Sequence, residues 1–196
     1  MTVLAVDLAA KYSAACLMDD DYEVIEQFDS WQQTEDAFVC HLTAGWTVVN
    51  TPDVMIVEDL PHGLRYTTLV KAVCRLQGRI VQSMQECTDG DWEEILFVAP
   101  ATWRAHYPEA KRGTGPDIVV PIAAQFGYTA PDLLARAKGS GGKTRADKVA
   151  TDYCSAYLIA RWAIDTKRQF GTYDVPGTSR YNTTVIRKKD FDAENI

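Results

Sequence analysis

The sequence predicts a mixed α/β domain with a five-stranded central sheet, its first three strands antiparallel and helices on both faces. Three observations predict it. The chain opens with three short strand-patterned runs joined by tight polar turns. Two more strand-length apolar runs, Val54–Val57 and Ile95–Ala99, each follow a helix-patterned segment. The last third carries one long apolar helix, and no segment repeats another.

The elements follow in order. Thr2–Leu8 reads as a strand buried on both faces, since Val3–Val6 is an unbroken apolar run. Tyr12–Met18 is the second strand. Asp19-Asp20-Asp21 makes a polar turn, and Tyr22–Asp29 alternates as a third strand. Thr34 is a good cap, with Glu35 and Asp36 in a first turn where the helix dipole favours acids, so a helix to about Trp46 follows. After Pro52 comes the fourth strand. A long helix then runs from Thr67 or Thr68 to about Glu86. Its core stripe is Leu69, Val73, Leu76, Ile80 and Met84, and Gly78 lies within it. Ile95–Ala99 is the fifth strand. The stretch 100–144 is irregular, with short helices at Pro100–Tyr107, Asp117–Phe126 (kinked or started at Pro121) and Pro131–Ala137. A long helix spans Arg145 to about Arg168. The domain is therefore expected to occupy residues 1–168, and 169–196 forms a tail without clear period, expected to be partly disordered.

Composition narrows the class. The chain has 196 residues and is 46% hydrophobic, enough for one full core. It has no apolar run of transmembrane length, no signal-peptide pattern and no CxxC pair, so a cytoplasmic protein with reduced, mostly buried thiols and no zinc site is expected. The net charge of −7 is unevenly spread: residues 1–59 carry a net −11, whereas residues 104–148 carry +4. A basic segment on an acidic chain can form a phosphate-binding face.

Asp7 ends the first strand, Glu58 ends the fourth, and Asp152 lies on the buried stripe of the last helix with Val149, Ala156 and Ile159. Three carboxylates meeting in a poorly solvated site repel one another unless a cation joins them. Hard divalent cations such as Mg²⁺ or Mn²⁺ take such oxygen ligands, and two ions about 4 Å apart promote phosphodiester hydrolysis. Asp59, next to Glu58, points the other way by alternation. AKGSGGKT has Ala137 where a phosphate-binding loop requires its first glycine, and it follows no strand. His62, near Glu58, is a minor candidate for a DNA or active-site contact.

Taken together, AVDLA, PDVMIVED, RLQGRI, LFVAPATWR and TDYCSAYLIA, in this order and spacing, resemble the RuvC-type Holliday-junction resolvases of the RNase H-like fold. The resemblance covers Thr2 to about Ala163. It implies a homodimeric, Mg²⁺-dependent endonuclease that nicks branched DNA symmetrically, with Asp7, Glu58 and Asp152 as catalytic metal ligands. The family's fourth acid or His would fall at Val149, and Asp147 is the nearest substitute, as catalytic residue and ligand alike. The first strand continues Leu8-Ala9 instead of Pro-Gly, the family's glycine-loop lysine is missing from GTGPDIVV, and Leu60-Pro61-His62 replaces the expected wedge. Lys111, Arg112, Lys138, Lys143, Arg145 and Lys148 are the expected phosphate contacts. The alternatives are an RNase H-like nuclease acting on forks, flaps or RNA/DNA hybrids, and a catalytically idle nucleic-acid-binding module of the same fold.

Overall fold

A computed structural model describes residues 1–9, 12–31, 35–42, 52–60, 67–87, 94–112, 116–139, 141–173 and 183–187. Strands β1 (Thr2–Asp7), β2 (Ala14–Asp19) and β3 (Val24–Asp29) form an antiparallel meander, followed by helix α1 (Glu35–Cys40). Strand β4 (Val54–Glu58), helix α2 (Thr67–Cys87) and strand β5 (Glu94–Val98) come next. Helices α3 (Pro100–Arg104), α4 (Pro116–Gln125) and α5 (Gly142–Phe170) precede strand β6 (Thr183–Arg187). The sheet runs β3-β2-β1-β4-β5-β6, with β1, β4 and β5 mutually parallel.

Strand alternation divides the core in two. Val3, Ala5, Cys16, Met18, Val54, Ile56, Leu96 and Val98 face α5, together with Trp103 and the α4 residues Val119, Ile122 and Ala123. Leu4, Val6, Leu17, Met55, Val57 and Ile95 face the opposite way, onto Phe38, Leu42, Val73, Leu76 and Ile80 of the α1–α2 layer. Each fully buried aliphatic side chain contributes about 2 kcal/mol. The run Thr151–Ala160 of α5 is buried all round, with the sheet on one side and α3–α4 on the other. Ala156 and Ala160 within it, and Ala163 just beyond, are fully buried, so replacing one by Leu would overfill the contact.

Helices thus cover both faces, as expected, but the sheet has six strands and not five. The sixth comes from the segment read as tail: β6 pairs antiparallel with β5, Leu96 opposite Val185. Helix α5 begins earlier than Arg145, at Gly142. Gly142 is held so close to Ala137 that a Cβ there would lie 2.9 Å from the Ala137 carbonyl carbon. The expected end of α1 near Trp46 lies outside the described residues. Cys16 and Cys154 are buried free thiols, whereas Cys40 and Cys74 are free and exposed, against the expectation of mostly buried thiols. Gly78 is exposed on α2 with open space around it, so no close approach among the described residues explains it. Among the described residues, no helix is long and apolar enough to cross a membrane.

Candidate active site

Parity and register bring the first two acids together. Asp7 shares the side of β1 that carries Val3 and Ala5, and Glu58 shares the side of β4 that carries Val54 and Ile56. Both therefore face α5. The parallel pairing Val6–Val57 makes Asp7 and Glu58 the next neighbours in register. Asp152 projects from the buried stretch of α5 over the same strand ends. The three are 8%, 8% and 9% exposed. Asp59 takes the other face, where its Oδ1 accepts from Gln77 Nε2 of α2 at 3.0 Å.

Each carboxylate has a different environment. The Glu58 and Ser155 side chains pull the Asp7 carboxyl back toward its ordinary range. Burial, followed by the Asp7 charge, holds Glu58 well above the usual carboxylate range. Its Oε1 accepts from Trp103 Nε1 at 2.8 Å and lies 3.4 Å from Arg104 Nη2. Burial also raises Asp7, against the opposing pull of Glu58, Ser155, Arg104 and Lys148. Asp152 is pushed up to about 8, mainly by burial and then by the Asp7 charge. Its Oδ2 is buried with no hydrogen-bond partner.

The other expected residues are placed less centrally. Asp147 is exposed, five residues and about 140° round the helix from Asp152, and its backbone carbonyl accepts from Thr151 Oγ1 at 2.8 Å. It is not brought to the other three. Lys138, Lys143, Arg145 and Lys148 are all exposed, the last three on the first two turns of α5. Lys148 acts electrostatically on both Asp7 and Asp152. Lys111 and Arg112 close a 3₁₀ turn, Pro108–Arg112, but their side chains fall outside the described set, as does His62 altogether.

Several partners were not foreseen. Trp103 and Arg104 reach Glu58 because α3 starts directly after β5, whose Val98 pairs with Glu58. That adjacency was the available signal. Burial lowers the Arg104 guanidinium from its ordinary value, with Glu58 and Asp7 pulling the other way. Asp29, at the end of β3, is a fourth buried acid. It accepts from Arg136 Nη1 at 2.6 Å, the Tyr153 hydroxyl at 2.8 Å and the Trp31 amide at 2.6 Å. Arg136, one of the bases in the positive segment, is thus engaged internally.

The donor set fits a hard divalent cation. It offers oxygen ligands only, and among the described residues one buried carboxylate oxygen, Asp152 Oδ2, lacks a hydrogen-bond partner. Among the described residues, no three His, Cys, Asp or Glu side chains form a ready-made metal cluster, so the acids would have to draw together around an ion.

No family model matches the chain, and no curated protein matches it. Solved structures do, among them two of RuvC. A T. thermophilus RuvC in complex with Holliday junction substrate is 14% identical, with a TM-score of 0.58 over 87% of this chain and 96% of that one. A Thermus thermophilus RuvC structure is 15% identical, with a TM-score of 0.54 over 88% and 98%. At this identity the likeness establishes a RuvC-like, RNase H-like fold.

Proposed function

We propose that the chain is a divalent-metal-dependent endonuclease for branched DNA. It resolves Holliday junctions by paired symmetric nicks, as a homodimer, in DNA recombination or replication. The observation that carries this reading is the convergence of Asp7, Glu58 and Asp152 on one face at the sheet ends, with a buried carboxylate oxygen left unpartnered. A purely structural cluster would have its polar atoms satisfied. The fold likeness to a RuvC bound to a Holliday junction supports the choice of substrate.

Asp7, Glu58 and Asp152 would hold Mg²⁺, with Mn²⁺ able to substitute. Two such ions, when bound, activate water and stabilise the leaving oxygen of a phosphodiester. The chain's own part is to position and to balance charge. Trp103 fixes the Glu58 carboxylate, and Ser155 offsets the burial of Asp7. Asp147 enters the ligand set only through a shift of the first turns of α5. Lys111, Arg112, Lys138, Lys143, Arg145 and Lys148 contact phosphates, which positions DNA without reading sequence.

The test is cleavage with Mg²⁺ of a synthetic four-way junction, a fork, an RNA/DNA hybrid and a plain duplex. Paired nicks on the junction support the proposal. Preferential cutting of the hybrid, or binding without cutting, would replace it with one of the two alternatives. Sedimentation equilibrium adds a second check, since only a dimer places two sites on one junction; a monomer at micromolar concentration removes paired resolution.

A further inference from the structure

Lys148 stands one turn before Asp152 on α5, at the i, i+4 spacing that puts two side chains on one helix face. Its charge acts on acids of two elements, Asp152 of α5 and Asp7 of β1. Arg104, the site's other cation, sits 3.4 Å from Glu58. Arg104 thus acts on Glu58 and Asp7, and Lys148 on Asp7 and Asp152, so Asp152 has Lys148 as its cation. Helix stability gives little reason for a lysine here. A base four residues before an acid is the weaker order for a helical ion pair, and bases near a helix start oppose its dipole. Lys148 is also exposed, so its ammonium reaches the solvent from which DNA approaches. A flexible point charge on a long stem suits a group that must change partner.

We propose that Lys148 works inside the active site, as a cation that offsets Asp7 and Asp152 while metal is absent and contacts the phosphate being cut once DNA is bound. It thereby differs from Lys138, Lys143 and Arg145, which hold DNA at a distance from the chemistry. The proposal rests on the nuclease reading for its second half and on the geometry of the acids alone for its first.

Mn²⁺ binding to the DNA-free protein, read by electron paramagnetic resonance, is compared for wild type, Lys148→Met and Lys148→Arg. Single-turnover junction cleavage with Mg²⁺ is measured on the same proteins. Removing a like charge beside the ligands makes Lys148→Met bind Mn²⁺ tighter, on the order of threefold. The same variant cuts more slowly by roughly tenfold to a hundredfold, as expected when one transition-state contact is lost. Lys148→Arg recovers most of both changes. A lysine that only supports the helix leaves Mn²⁺ affinity unchanged, and that result overturns the proposal, as does undiminished cleavage by Lys148→Met. A wild-type protein that binds Mn²⁺ and cuts nothing fails the nuclease reading and the phosphate contact with it, while the Mn²⁺ comparison still decides whether Lys148 belongs to the site.

Discussion

The indole of Trp103, fully buried, donates its Nε1–H to Glu58 Oε1 at 2.8 Å. This bond holds in place a carboxyl group that burial and the Asp7 charge already strain. Trp103→Phe keeps the aromatic bulk and deletes the donor. The expected loss is about 1–3 kcal/mol of stability, the cost of leaving a buried polar group unsatisfied. Metal affinity is expected to fall about tenfold or more, as when a ligand loses its outer support. Urea unfolding and calorimetric titration with Mn²⁺ check the two effects separately.

Asp152 gives the metal-free protein a pH dependence of known sign. Its folded pKa, about 8, lies above the ordinary value of 3.8. Between those values the folded state binds the proton that the unfolded state has released, so stability falls as pH rises from about 4 to about 8 and then levels. The steepest slope for this one group approaches about 1.4 kcal/mol per pH unit. Asp152→Asn flattens this part of the profile. Urea unfolding in chelator at pH 5 and pH 8 reads it, and equal slopes in the two proteins would refute the assignment.

Asp152→Asn is also expected to abolish cleavage while leaving junction binding intact, because phosphate contacts supply most of the affinity. Asp147→Asn is expected to cost little, since its carboxylate is exposed and away from the other acids. Single-turnover cleavage at several Mg²⁺ concentrations separates them. An active Asp152→Asn with a dead Asp147→Asn would mean that the start of α5 rearranges on metal binding.

Replacing Lys111 and Arg112 together by Ala is expected to weaken binding across all sequences. The salt dependence should flatten by about one unit of slope per lost phosphate contact. Fluorescence anisotropy at four salt concentrations measures this. An unchanged slope would move the DNA face onto Lys138, Lys143 and Arg145.

Arg136→Ala behaves differently if the ion pair with Asp29 is its main work. It takes the ion pair from a buried acid that the Tyr153 hydroxyl and the Trp31 amide also bond, and a cost of about 3 kcal/mol is expected. The salt slope of DNA binding is expected to stay unchanged. A lowered slope without loss of stability would reassign Arg136 to the DNA face.

Asp7, Glu58 and Asp152 were legible because their signals are local. An acid ending an apolar run, or lying on a helix's apolar stripe, is visible within a few residues. The shared face of Asp7 and Glu58 follows from strand parity alone. Asp29 also ends a strand, but its partners Arg136 and Tyr153 lie more than a hundred residues away, and no local pattern reveals them. Trp103 resembles any core aromatic until register places Val98 beside Glu58. The sixth strand carried a usable signal, since Thr183, Thr184, Val185 and Ile186 are all β-branched. It was hidden because one short run in a polar, mixed-charge segment has no partner that its own sequence names.

The late position of β6 has a consequence for synthesis. A nascent chain that has emerged through residue 170 holds every acid of the site, yet the outer edge of β5 still lacks its neighbour. Residues 183–187 supply that neighbour only afterwards. In the interval the ribosome-bound chain displays an unpaired row of backbone amides and carbonyls, the kind of edge that recruits strands from other chains. Translation that stalls between α5 and β6 would therefore yield an acid-complete but adhesive intermediate, and the final few residues of the sheet act as the stopper that ends its exposure.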